Sequence, residues 1–203
     1  MEDNLQAVVN QIALQGGSLN PDNYYLYHDN KIQYLCYNAE YYQPCVVQQP
    51  LLKQHIEEEI NNGIKESSDN CFQSLKDSFE GRGFDVSFVA GETTVNLLPN
   101  AIKVEYAKDL VLTKGSTERY KTLNVIVNNN LYELISIANS IVSSEVRYGD
   151  AETTIYMNYY HNLKVGKNKQ SDGTTIYSLT NRDTNDQFQF ASRSIAWPPG
   201  IIA

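Results

Sequence analysis

The chain has 203 residues, of which 41% are hydrophobic and 20% charged, and its formal net charge is −8 at pH 7. This balance is typical of one globular domain with its own core, and it excludes a disordered chain, which has too few hydrophobic residues to bury. The negative charge argues against binding to nucleic acid or to an anionic membrane surface, because both attract basic faces.

Several segments have the spacing of amphipathic helices. Asp3 can cap the first of them. The helix that follows Pro50 is weakened at Asn62-Gly63, and a second helix is predicted after it. The broadest apolar stripe lies C-terminal to Asn129. The predicted helices cover residues 3–15, 51–64, 67–80 and 129–146, with a short one near 154–160.

Strand patterns fill most of the remaining chain. Residues 24–37 predict a hairpin that turns at His28–Lys31, where Asp-Asn tolerates positive φ. Short alternating runs then predict an antiparallel meander, and three more strands close the chain. These later runs cover 85–90, 93–98, 101–107, 110–114, 120–127, 162–170, 174–180 and 186–194. Together the elements predict one α+β domain over residues 1–203, with three to four helices packed on one face of antiparallel strands.

Tyrosine is unusually frequent, with 15 Tyr against 6 Phe. Tyrosine suits half-wet surfaces, because its ring buries area while its hydroxyl keeps a polar partner. Seven tyrosines near the first hairpin therefore form a candidate contact surface, with Met157–His161 as a second aromatic segment; packing within the fold is the alternative for both. The seven are Tyr24, Tyr25, Tyr27, Tyr34, Tyr37, Tyr41 and Tyr42.

The three cysteines are an odd set without the C-x-x-C spacing of a metal or redox motif. Cys36 and Cys45 flank a short loop, and a bridge between them would stabilise the fold by roughly 2.5–3 kcal/mol. The alternative is three reduced thiols, with Cys36 a buried strand residue. If the bridge forms, Cys71 lacks a partner within the chain.

No catalytic, cofactor or metal motif is present in the sequence: P-loop, G-x-G-x-x-G and G-x-S-x-G patterns are all missing. The composition therefore favours a non-enzymatic surface or interaction domain without a cofactor. One alternative is an extracytoplasmic hydrolase whose site is assembled from distant residues, for which His55, Glu59 and His161 are the candidates. The other is a module that binds a small ligand.

The chain contains six sequence blocks that bear on its family: LQGG, PCVVQQPLLKQHIEEEI, CFQSLKDSFEGRGFDVSF, LVLTKG, DGTTIYSLT and FQFASRSIAWPPG. Together these blocks resemble an uncharacterised family of cell-surface proteins from small-genome archaea, in which one membrane-spanning helix precedes an outward-facing domain. The resemblance implies an ectodomain on the extracellular face of the cell membrane, an anchor upstream of Met1 and no known reaction. Another cell-surface protein is the expected partner. A cysteine precedes the first helix in that family, and its absence here would leave Cys71 unpaired.

Overall fold

The computed structural model describes residues 1–89 and 91–198; Ala90, the last residue of one predicted strand, and residues 199–203 lie outside the described part. The helices are α1 (Glu2–Leu14), α2 (Leu52–Glu80), α3 (Leu131–Tyr148) and α4 (Thr154–Tyr159). The first six strands are β1 (Tyr24–Tyr27), β2 (Asn30–Tyr37), β3 (Val46–Val47), β4 (Asp85–Val89), β5 (Thr93–Leu98) and β6 (Ala101–Tyr106). The others are β7 (Asp109–Lys114), β8 (Ser116–Tyr120), β9 (Leu123–Asn128), β10 (Leu163–Lys169), β11 (Thr174–Asn181) and β12 (Gln187–Arg193).

The strands form three sheets. The largest has six strands in the order β1-β2-β12-β11-β10, with β3 beside β2, and all its pairs are antiparallel except β2 with β12. Two three-stranded sheets have the orders β4-β7-β8 and β5-β6-β9. The predicted α+β class is confirmed, and the middle strands interleave: the β5-β6 hairpin is inserted between the paired strands β4 and β7.

The helices share one main core with the large sheet. Helices α1 and α3 contact β12, and α2 contacts β5 of a small sheet. Tyr177, Phe188 and Phe190 are fully buried on the helix side of the large sheet, and the rings of Tyr177 and Phe190 stack with their centroids 5.2 Å apart. Among the described residues, none of the helices combines the length and the hydrophobicity that a membrane span requires.

Helix α2 is continuous for 29 residues, so the predicted break at Asn62-Gly63 is wrong. A Cβ atom at Gly63 would lie 2.6 Å from Cγ1 of Val8, which shows that α1 approaches α2 closely at this glycine. The intrinsic penalty of glycine in a helix is only about 1 kcal/mol. Burial of Ile60 and Ile64 on either side of it outweighs that penalty.

The first hairpin forms as predicted, but its turn lies one residue earlier. His28 and Asp29 adopt φ of 47° and 65°, and Tyr27 pairs with Asn30. Two central residues with positive φ match the right-handed twist of the flanking strands. Strand β8 was not predicted at all, because its five residues are polar or exposed and show no alternation of buried positions.

Candidate functional site

The Cys36–Cys45 disulfide is present, which confirms the predicted pairing. Both cysteines are buried, and the loop between them is also tied to the segment after β12. Tyr42 N donates to Ala196 O at 2.9 Å, and Cys45 N donates to Ser194 Oγ at 3.0 Å. Cys71 is half-buried and forms no disulfide within the described part of the chain. The bridge and these bonds fix the loop over the end of the large sheet.

The seven candidate tyrosines do not form one surface. Four of them lie on the outer face of the large sheet, where they pack around Ile32 and Ile176. Tyr34 in this group is only 5% exposed and shares a 2.8 Å hydrogen bond with Thr174 Oγ1, and burial raises its pKa to about 12. The four are Tyr25, Tyr27, Tyr34 and Tyr37. These rings contribute mainly to the packing of that face, and part of their surface stays exposed.

The remaining three tyrosines are exposed in two places. Tyr24 lies on the opposite face of its strand, as the alternation predicted, with Lys31 Nζ 4.9 Å from its ring centroid. Tyr41 and Tyr42 lie on the disulfide-closed loop, and the ring of Tyr42 meets that of Trp197 edge-on at 5.1 Å. Contact of any of these residues with a partner stays a prediction.

His55 and Glu59 hold the loop that follows α1. His55 Nε2 shares a 2.7 Å hydrogen bond with Ser18 Oγ, and Glu59 Oε2 accepts a hydrogen bond from Leu19 N at 2.6 Å. Ser18 is only 5% exposed, so the Ser–His pair is closed to a substrate. His161 lies exposed beyond α4 and forms no hydrogen bond to either residue. Within residues 1–89 and 91–198, no three His, Cys, Asp or Glu side chains are grouped to hold a metal.

A groove of about 370 Å³ lies over the exposed side of α3, between that helix and α4. Its wall combines tyrosine rings, amide side chains and a few aliphatic groups. We call it the α3 groove. It is lined by Asn100, Asn130, Tyr132, Glu133, Leu134, Ser136, Ile137, Ser140, Tyr156, Tyr160, Asn162, Leu163 and Asn181.

One end of the α3 groove is built by the start of α3. Asn129 Oδ1 accepts a hydrogen bond from Leu131 N at 2.8 Å, which satisfies one of the free amides of the first turn. Asp186, in the turn between β11 and β12, accepts hydrogen bonds from Asn130 N at 2.9 Å and from Asn129 Nδ2 at 3.1 Å. A carboxylate at a helix N-terminus is favoured by the helix dipole. This end is therefore rigid.

The other side is built by α4 and the chain that follows it. Tyr156 OH and Ser140 Oγ share a 2.9 Å hydrogen bond between α4 and α3. Leu163 N donates to Tyr160 O at 2.9 Å, and Met157 packs against the main core. These contacts hold a six-residue helix that would be unstable by itself, because isolated helices this short do not form in water.

Several polar groups of the α3 groove are free to bind. The hydroxyls of Tyr132 and Tyr160 and the side-chain amide of Asn162 have no hydrogen-bond partner in the described part of the chain. Glu133 is not among these free groups, because its Oε1 accepts a hydrogen bond from Asn100 N at 2.9 Å and its Oε2, although without a partner among the described residues, is buried. The groove therefore offers donors and acceptors beside aromatic rings.

The sequence pointed to only part of this groove. The predicted aromatic segment Met157–His161 contains one lining residue, Tyr160, whereas its neighbour Tyr159 is 81% exposed and lies outside the lining. Tyr132, Ser136 and Ser140 recur at fourfold spacing and share one side of α3. That row of residues was the available signal in the sequence. By itself it marks only the exposed side of a helix, and it indicates a groove only once α4 is known to lie over it.

A buried acid lies on the opposite side of α3. Glu145 is 2% exposed and accepts a hydrogen bond from Tyr177 OH; burial raises the pKa of its carboxyl group, and this hydrogen bond only partly offsets the shift. Burial next to the same carboxyl group also raises the pKa of Tyr177. Ser194 Oγ donates to the main-chain oxygen of Glu145 at 2.8 Å. This closed network connects α3 to the large sheet and offers no access to a substrate.

The α3 groove and the disulfide-closed loop are thus exposed features of the described chain with groups that could bind a partner, and the predicted acid and imidazole groups His55, Glu59 and His161 do not meet in either. The resemblance to archaeal cell-surface proteins stays a prediction. No family model, curated protein or solved structure matches this chain.

Proposed function

We propose that this chain is a non-enzymatic binding domain that works outside the cytoplasm, at the cell surface, with a membrane anchor supplied by a preceding segment. The disulfide supports the compartment, because such bridges persist in oxidising environments and are rare in the cytosol. The anchor rests on the resemblance of the sequence blocks alone.

The α3 groove carries the binding role. It is concave and near the lower end of the volumes typical of small-ligand sites, and it combines rings with unpaired polar groups. A hydrolase is less well supported, because His55 and Glu59 are both engaged with the loop that follows α1. An acid–base catalyst must reach the proton that it transfers.

The binding role is tested by screening a library of small polar and aromatic fragments against the ¹⁵N-labelled protein. We expect amide shifts of Ser136, Asn162 and their neighbours to change, and Tyr160→Ala to reduce those changes. A screen in which no fragment perturbs the groove, or in which fragments bind only elsewhere, would refute the assignment of this site.

The compartment is tested separately by counting free thiols in protein exported to an oxidising compartment. We expect one reactive thiol per chain under denaturing conditions, that of Cys71. Three free thiols would refute the extracytoplasmic assignment and leave the groove experiment unaffected.

A further inference from the structure

The charge of the α3 groove restricts the ligands that it can hold. Among the residues that the structure describes, its lining includes no lysine, arginine or histidine, so a phosphate or carboxylate ligand would find no cation there to pair with. Glu133 is the single carboxylate in the lining, and its Oε1 is already engaged with Asn100 N. An uncharged ligand therefore loses the least hydration free energy when it moves from water into the groove.

Two of the three tyrosines in the groove, Tyr132 and Tyr156, are packed or hydrogen-bonded before any ligand binds. Tyr156 is fixed by its hydrogen bond to Ser140, and Tyr132 is half-buried on the first turn of α3. Tyr160 remains 53% exposed, so its ring is available for contact. The face of an aromatic ring is electronegative and attracts weakly positive C–H groups, and rings already in position lose little conformational entropy on binding.

The amides of the groove provide both hydrogen-bond donors and acceptors. The side chain of Asn162 has no hydrogen-bond partner among the described residues, so it can both donate and accept. Asn181 Oδ1 accepts hydrogen bonds from the main-chain amides of Asp183 and Thr184, which leaves its two N–H groups. Asn100 Oδ1 accepts from Asn130 Nδ2, which likewise leaves the Nδ2 donors of Asn100. A ligand rich in hydroxyl groups matches this set, because each hydroxyl both donates and accepts.

We propose that the α3 groove binds a neutral saccharide, with a sugar ring against Tyr160 and its hydroxyls on Asn162 and Asn181. This inference rests on the proposed binding function and specifies its ligand class. A purely apolar ligand fits less well, because it would bury these amides without partners, and an unpaired buried polar group is costly. An amine could form an ion pair with only one carboxylate of the lining, that of Glu133, and the second oxygen of this group is buried.

The test is a titration of the full chain with neutral disaccharides of glucose, galactose, mannose and N-acetylglucosamine, followed by calorimetry and amide shifts. We expect at least one disaccharide to perturb the groove amides. Tyr160→Ala should weaken its binding by about tenfold, the upper range for one aromatic contact. Asn162→Ala should weaken it as well, because Asn162 would lose its hydrogen bonds to the sugar.

Tyr159→Ala is the matched control, since Tyr159 is the more exposed neighbour and lies outside the lining. It should leave saccharide affinity unchanged, and circular dichroism should show that all three variants are folded. The inference is overturned if no disaccharide perturbs the groove, if amine or alkyl fragments bind there instead, or if Tyr159→Ala weakens binding as much as Tyr160→Ala. Fragment binding in the groove without saccharide binding would leave the proposed binding function intact.

Discussion

Removal of the Cys36–Cys45 bridge gives the most quantitative prediction. The two cysteines are 9 positions apart, and closing a loop of that size lowers the entropy of the unfolded chain enough to stabilise the folded state by roughly 2.6 kcal/mol at 25 °C. For a chain of about this length, each kcal/mol shifts the thermal midpoint by about 2–4 °C. Reduction should therefore lower the midpoint by roughly 5–10 °C.

Thermal unfolding of the wild-type chain, with and without a reductant, isolates the cross-link because no side chain is replaced. The double variant Cys36→Ala/Cys45→Ala should unfold below the oxidised wild type and should not respond to reductant. Cys71→Ala is the control, and it should retain the full response, since Cys71 is outside the bridge. Equal midpoints for oxidised and reduced wild type would refute the argument from loop entropy.

Three further predictions concern the core and the helices. Glu145→Gln should reduce the fall in thermal midpoint that the wild type shows as pH rises above the ordinary carboxyl range, because the raised pKa of Glu145 makes the folded wild type lose stability over that rise. Gly63→Ala should lower the free energy of unfolding by about 1–3 kcal/mol in urea, since the new methyl group overpacks the contact with Val8. Asp186→Ala should lower the free energy of unfolding by about 1–3 kcal/mol, because it leaves Asn130 N at the start of α3 unpaired.

Each of these has its own contrary result. Parallel pH profiles for wild type and Glu145→Gln between pH 5 and 8 would show that the carboxyl group is not the titrating group. Val8→Ala should restore part of the loss caused by Gly63→Ala; a stabilised Gly63→Ala would mean that helix propensity outweighs the contact. Asp183→Ala, in the same turn as Asp186, should leave the free energy of unfolding unchanged. An equal loss for this variant would show that the effect comes from the turn and not from the hydrogen bond to the start of α3.

The sequence was sufficient where one periodic pattern decided the structure. The stripe on α3 and the tyrosine alternation on β1 each match the observed burial, because a single buried face selects every third or fourth helical residue, or every second strand residue. The Cys36–Cys45 bridge was foreseen from spacing, since a short loop after a hairpin keeps its ends close. None of these required distant contacts.

Long-range packing decided the rest. The continuity of α2 through Gly63 depends on the burial of Ile60 and Ile64 in the complete fold, and the pairing of β4 with β7 spans a hairpin inserted between them. The α3 groove requires α4 to lie over one side of α3, and local propensity gives no information on that. Sequence patterns report which residues avoid water, whereas the relative placement of two surfaces is selected by the packing and hydrogen bonds of the complete fold.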